Sequence, residues 1–127
     1  MKVMFVTNEY PPHIYGGAGV HVEYLSRELA RLMEVEVRSF HDQHFKEGNL
    51  TVDGTTPDAS LFKGCPKELA SPLKAFYDGL VFSGEGITAD IAHCHTWYAH
   101  FAGILAKMLY GIPLVITVHS LEPLRPW

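Results

Sequence analysis

The sequence predicts an α/β domain built on an open parallel sheet flanked by helices. Three observations predict it. Short apolar runs alternate along the chain with stretches of helical apolar spacing, and that alternation implies right-handed crossovers between parallel strands. The first run, Val3-Met-Phe-Val6, is continuous rather than alternating, as a strand covered on both faces requires. Three segments dense in glycine, histidine and aromatic residues also begin where strands should stop, at residues 10–19, 93–100 and 117–123. The carboxyl ends of parallel strands share one edge, and ligands bind in the crevice there.

The elements follow in order. Residues 2–7 read as the first strand. Pro11-Pro12 forbids helix, and Gly16, Gly17 and Gly19 open the next turn. Residues 19–33 read as a helix with Val22, Leu25, Leu29, Leu32 and Met33 on one face and Glu23, Arg27, Glu28 and Arg31 largely opposite. Val35 and Val37 alternate with Glu36 and Arg38, which predicts a second strand near the sheet's edge. Residues 41–66, punctuated by Gly48, Gly54, Thr55-Thr56-Pro57 and Gly64, read as a long surface excursion. Residues 68–82 predict a helix with Leu69, Leu73, Phe76, Tyr77 and Leu80 inward, interrupted at Pro72. Residues 90–95 are the third strand. Residues 98–110 form a helix with Phe101, Ile104, Leu105, Met108 and Leu109 on one face and Gly111 at its end. Residues 114–119 are the fourth strand. The chain stops soon after it without a closing helix, so it reads as the front part of a longer protein.

Composition narrows the partners. The 127 residues suffice for one domain, 47% of them hydrophobic and 19% charged, with a formal net charge of −4. No basic stripe exists, which argues against nucleic acid and anionic membrane as partners. No stretch reaches a membrane span. Cys65 and Cys94 make no disulfide framework, and Cys94 sits inside a predicted buried strand, so a cytoplasmic location is expected. Eight histidines is a heavy load, and His13, His93, His95, His100 and His119 all fall in the three segments.

Each segment supports a definable chemistry. Gly16-Gly17-Ala18-Gly19 lies between a strand and a helix start, where free backbone N–H groups and the helix dipole favour phosphate or diphosphate. The other reading is a tight turn that needs glycine for sterics alone. The spacing does not match G-x-G-x-x-G, since the third glycine would fall at Val22. His93 and His95 are two apart on a strand and so share a side. They suit either a metal, with His100 or His119 completing the set, or a buried histidine at 93 and a ligand contact at 95. No metal site is assigned on this pattern. Trp97 and Tyr98 offer flat faces with polar tips, fit for a sugar ring or for packing at a cleft rim. His119 follows a strand and precedes Ser120 and Glu122. Its imidazole can bond a ligand hydroxyl or stabilise developing positive charge, with Glu122 orienting it, or it caps the next turn. No G-x-S-x-G elbow supports a serine nucleophile.

Together these stretches resemble the N-terminal domain of the retaining GT-B glycosyltransferases, in particular the bacterial glycogen synthases and α-maltose-1-phosphate synthases. The stretches that carry the likeness are Asn8-Glu-Tyr-Pro-Pro12, Tyr15-Gly-Gly-Ala-Gly-Val-His21, His95-Thr-Trp-Tyr98 and His119-Ser-Leu-Glu-Pro123. The resemblance implies a Rossmann-like half of a two-domain enzyme. It implies transfer of glucose with retention from ADP-glucose or UDP-glucose to an α-glucan or glucose 1-phosphate, the nucleotide-sugar being a substrate and no cofactor being required. By it, Gly16, Gly17 and Ala18 contact the donor diphosphate, and His119 touches the transferred sugar. Glu9, Tyr10, His95, Trp97, Tyr98 and Glu122 line the sugar and acceptor side. Glycogen and starch synthases carry Lys-x-Gly-Gly in this loop, whereas here Ile14 replaces the lysine, as in the maltose-1-phosphate branch. The family's C-terminal domain, which holds most of the nucleotide, is absent from these residues, so the isolated chain is expected to be inactive. The face meant for that domain, carrying Tyr10, Ile14, Tyr15, Trp97 and Tyr98, is expected to invite self-association. Two other readings stand beside this one: a binding module for carbohydrate or nucleotide without catalysis, and a metal-dependent hydrolase using His93, His95 and His119.

Overall fold

A computed structural model describes residues 1–120. The order along the chain is β1 (Lys2–Thr7), α1 (Gly17–Ala30), β2 (Glu34–Ser39), β3 (His44–Glu47), β4 (Leu50–Gly54), a 3₁₀ turn (Ala59–Phe62), α2 (Lys67–Gly84), β5 (Ile91–His95), α3 (Trp97–Tyr110) and β6 (Leu114–Thr117). The six strands form one sheet in the order β3-β4-β2-β1-β5-β6. Every neighbouring pair is parallel except β3 with β4. The predicted α/β class with a Rossmann-like parallel sheet is what the chain adopts.

The pleat sorts the core into two layers. Val3, Phe5, Val35 and Val37 face α1, where Val22, Leu25 and Leu29 cover them. Met4, Val6, Ala92 and Cys94 face the opposite way, onto Ala75 and Phe82 of α2 and Ala99, Ala102 and Ala106 of α3. The sequence places Leu32 in the first layer, but α1 ends before it and its side chain is exposed.

Four further expectations are corrected. First, β2 is interior rather than peripheral, lying between β1 and β4. Its alternating charges misled because they are buried and paired. Glu36 accepts from Arg38 Nε at 2.6 Å and Lys2 Nζ at 2.5 Å, and Arg38 donates onward to the carbonyls of Phe82 and Gly86. Second, residues 41–66 are not all excursion, because β3 and β4 pair within them and extend the sheet. Third, Pro72 does not interrupt α2. It forfeits one bond, to the Glu68 carbonyl near the helix start, and the packed helix continues through it.

The fourth correction concerns which faces of α2 and α3 turn inward. Ala75, Gly79, Ala99, Ala102, Gly103 and Ala106 are buried, while Leu69, Leu73, Phe76, Leu80, Ile104, Met108 and Leu109 are exposed. Small residues win the interior because the elements approach closely. A Cβ on Gly103 would lie 2.4 Å from Cys94 Sγ, and one on Gly79 2.9 Å from the Phe101 ring. Strand β6 is an edge strand among the described residues, with Val115 and Ile116 exposed rather than buried. Gly111 caps α3 in the left-handed conformation at φ 69°, as predicted. Among the described residues no helix is long and apolar enough to cross a membrane.

Candidate functional site

Strands β1, β5 and β6 run parallel and release their chains at the same edge of the sheet. A cleft of about 410 Å³ opens there, lined by Glu9, Gly16, Gly17, Ala18, Thr96, Trp97, Tyr98 and His119 among others. The three segments do converge. A groove of about 430 Å³ lies elsewhere, beside Arg27, Arg31 and Glu47. Arg27 there is engaged by Glu23 and Glu47, and the groove gathers none of the three segments.

The first wall is built by Glu9. Thr7 Oγ1 donates to the Glu9 carbonyl and accepts its N–H, which turns the chain after β1. The Glu9 carboxylate then reaches back and accepts the N–H groups of Tyr15 and Gly16, each at 3.0 Å. Gly16 precedes α1 with an extended backbone and no side-chain cap. The N–H groups of the helix's first turn have no intrahelical acceptor and carry partial positive charge. Neither sterics nor φ demands glycine at 16 or 17, because a Cβ on either meets nothing within 4 Å. Glycine there leaves open space in front of the amides, which favours the anion reading over the turn-only reading. Gly19 is different: a Cβ on it would sit 2.9 Å from both Cβ and Oε2 of Glu9.

The second wall starts where β5 ends. Thr96 joins β5 to α3 with φ 67°, a left-handed angle that costs a β-branched residue free energy. Its Oγ1 is buried with no hydrogen-bond partner among the described residues. The next two side chains, Trp97 and Tyr98, stack with ring centres 4.0 Å apart. Trp97 is 38% exposed. Strain and an unpaired hydroxyl at a cleft wall mark Thr96 as a site residue.

Between the walls stand histidines on one side of the sheet. His95 is fully buried, and its Nδ1 lies 3.2 Å from His119 Nε2 in a shared hydrogen bond. His95 Nε2 is buried without a partner. Burial first, and the neighbouring imidazoles next, push His95 down to about 3. Burial chiefly also lowers His119 and His93. These rings are therefore neutral at pH 7. His93 is half-buried and hydrogen-bonds Thr117 Oγ1 at 2.7 Å. His95 is thus the more deeply buried of the two, while His93 is the one satisfied by a neighbouring side chain. His21, on α1, completes the group. One nitrogen from each of His21, His95 and His119 lies within 4.8 Å of the others. This replaces the set His93, His95 and His119. His100 lies outside it, its Nε2 buried without a partner.

Tyr10 does not line the cleft. Its ring is fully buried beneath α1 and its hydroxyl bonds Ser26 Oγ at 2.9 Å. That burial also removes Tyr10 from the exposed aromatic face, which retains Tyr15 at 74% exposure and Trp97. Glu122 lies outside the described residues. Two site residues escaped the sequence reading, Thr96 and His21. For His21 a signal existed: it is one helical turn past Gly17, so it shares that face of α1.

Comparison with known proteins identifies the family. The Glycosyltransferase Family 4 profile matches residues 15–127. Over its whole length the chain is 40% identical to the α-maltose-1-phosphate synthases of Mycobacterium tuberculosis and Mycolicibacterium smegmatis, covering 30% of each. It is 25% identical to the glycogen synthase of Mycobacterium tuberculosis over 96% of the chain and 34% of that enzyme. The chain spans about a third of the length of these curated relatives. With the sheet, the glycine loop and the edge cleft in place, the match over most of the chain establishes that it belongs to glycosyltransferase family 4, as an N-terminal domain of the GT-B type.

Proposed function

We infer that residues 1–127 form the acceptor-side domain of a retaining glucosyltransferase, which moves glucose from ADP-glucose or UDP-glucose to glucose 1-phosphate or an α-glucan. The observation that carries this reading is the single cleft in which an open glycine loop at a helix start faces a neutral histidine and a stacked aromatic pair. Backbone amides of Gly17 and Ala18 suit a diphosphate, with Glu9 fixing the loop from behind. His119, neutral and partly open, suits a hydrogen bond to a hydroxyl of the transferred sugar. Trp97 and Tyr98 suit the face of an acceptor ring, and the Thr96 hydroxyl suits a polar contact beside it.

Ile14 in place of lysine, and 40% identity against 25%, both favour glucose 1-phosphate as the acceptor over a long glucan. A leaving diphosphate builds negative charge, and stabilising that charge is usually the largest catalytic term. Among the described residues, the cleft wall offers it backbone amides but no Lys or Arg. A second domain is therefore proposed to supply cations and hold the nucleotide, and the chain on its own is proposed to be inactive.

The test is to incubate the whole protein with each donor and each acceptor in turn and follow glucose transfer by NMR. Production of an α-linked disaccharide phosphate from glucose 1-phosphate supports the reading. Binding without transfer for all four pairings overturns it and favours a module that only binds carbohydrate or nucleotide.

A further inference from the structure

We propose that His41, Gln43 and Lys74, beside Tyr15 at the rim of the cleft, form the subsite that takes the phosphate of the acceptor glucose 1-phosphate. This rests on the function just inferred and says where the acceptor's charge goes. Among the described residues the cleft wall holds no Lys or Arg to meet that charge. The phosphate also lies across the sugar ring from the hydroxyl that extends a maltose-type chain. Its partners therefore belong one ring's width away from the transferred sugar.

The end of β2 lies in that direction. Tyr15 lines the cleft and is exposed, and its ring centre is 6.1 Å from that of His41. His41 in turn stacks on His13 at 4.4 Å. The charges of Glu9, in the cleft, and of Lys74, on α2, both act on the His41 imidazole, which connects the two places. Burial first, then His13 and Lys74, hold this ring below the usual histidine value, so it is neutral at pH 7. The loop that carries it is fixed. Gly54 donates its N–H to the Gln43 carbonyl at 2.7 Å, and a Cβ on Gly54 would fall 1.6 Å from the His41 carbonyl oxygen. Only glycine lets the end of β4 come so close.

The donors are there. Buried side-chain atoms without a partner among the described residues fall into two groups. One, on His95, Thr96 and His100, follows β5. The other, on His41, Gln43 and Asp78, gathers where β2 ends against α2. In this second group, neutral His41 presents an N–H at Nε2 when Nδ1 is the bare nitrogen. The Gln43 amide meets the Ser39 hydroxyl at 2.6 Å through Nε2. Turned over, its Oε1 accepts from that hydroxyl and its NH₂ is freed, since a hydroxyl donates as well as accepts. Lys74 Nζ gives one N–H to the Phe40 carbonyl at 3.1 Å and another to Asp78 Oδ2 at 2.7 Å, which leaves the third of its three. The Asp78 side chain is fully buried while that of Lys74 is 34% exposed. The carboxylate thus aims the ammonium from beneath and the outer side stays open. Ionised phosphate oxygens are the strong acceptors that such donors suit.

The test uses the whole protein, with glucose 1-phosphate and glucose as the two ligands. His41→Phe keeps a ring on the His13 stack and removes the donor. Gln43→Ala removes the amide. Lys74→Met combined with Asp78→Asn removes the ammonium and the charge of its buried partner together. Thermal melts show which variants fold, and the two loop variants keep the test decisive if the α2 pair does not. In each folded variant KM for glucose 1-phosphate should rise at least about 10-fold, the size of one hydrogen bond to a charged group, with kcat within a few-fold of the parent. Affinity for glucose, which lacks the phosphate, should not change. Phosphorus NMR titration with glucose 1-phosphate reads the subsite even without transfer. A parent that binds the ester but transfers nothing to it therefore defeats the function above, while loss of that binding in His41→Phe still supports the subsite. Unchanged KM and binding in both His41→Phe and Gln43→Ala, or equal losses for glucose and glucose 1-phosphate, would overturn it.

Discussion

The carboxylate of Glu9 accepts the N–H groups of both Tyr15 and Gly16, and the same carboxylate lies where a side chain on Gly19 would go. One residue thus fixes the glycine loop from behind and sets the identity of a helix position ten residues on. Gly19→Ala should destabilise the chain even though alanine is the better helix former by about 1 kcal/mol. The added methyl drives Glu9 from its two amides, each worth about 1.5–3 kcal/mol when the acceptor is charged. Glu9→Ala should cost a similar amount. The double variant should cost less than the sum, because the second change removes a clash and has no bond left to break. Urea unfolding of the four proteins measures this, and strict additivity would show that Glu9 and Gly19 are uncoupled.

Gly103→Ala tests the close approach of α3 to the sheet. The new Cβ would meet the fully buried Cys94 Sγ at 2.4 Å and Leu114 Cδ1, packed against the core, at 2.6 Å. Overpacking of this kind costs about 1–3 kcal/mol. A melting temperature unchanged from the parent would mean that β5 and α3 separate freely.

The parts of the fold that could be read in advance were those where one local signal dominates. Val3 to Val6 are apolar on both sides because helices cover both faces, and Gly111 is needed where α3 turns left-handed. The faces of α2 and α3 could not be read, because Ala, Gly and Ser form the buried stripe while Leu69, Phe76 and Met108 carry the stronger apolar pattern outward. Charge misled at β2 for a related reason: Glu36 and Arg38 pair directly, but their burial also draws on Lys2 and on carbonyls at and just beyond the end of α2, partners distant in sequence. In the cleft, Gly16, Gly17, Trp97 and His119 were legible as residue types after strands. Tyr10 was not, because its aromatic ring reads equally as ligand platform or core, and only tertiary packing against Ser26 decides.

Glu36 also predicts an acid limit. Burial pushes its carboxyl up, but hydrogen bonding to Lys2 and the charge and hydrogen bond of Arg38 override this and hold it below 4.5. A depressed carboxylate contributes stability above its unfolded pKa and loses it as pH falls through the folded one. Stability should therefore decline as pH drops below about 4.5. Glu36→Gln should flatten that part of the profile. Arg38→Met should be worse at neutral pH, costing about 3–5 kcal/mol, since it leaves the buried Glu36 carboxylate and the buried Phe82 carbonyl short of a partner. Thermal melts from pH 3 to 7 separate the two, and a Glu36→Gln profile parallel to the parent would remove this pair as the cause.

His119 carries the sharpest functional prediction. It stands in the cleft beside Gly16 to Ala18, neutral because burial chiefly, with His21 next, outweighs the opposite pull of Glu9. A positioned imidazole typically contributes 10²–10⁴-fold. In the whole protein His119→Ala should therefore lower turnover at least about 100-fold. The effect should fall on kcat more than on KM if the imidazole bonds the sugar more tightly as the transition state forms. His119→Asn, which keeps a hydrogen-bond donor at a shorter reach, should recover part of the loss. Turnover within a few-fold of the parent in His119→Ala would take this histidine out of the reaction and leave it only its bond to His95.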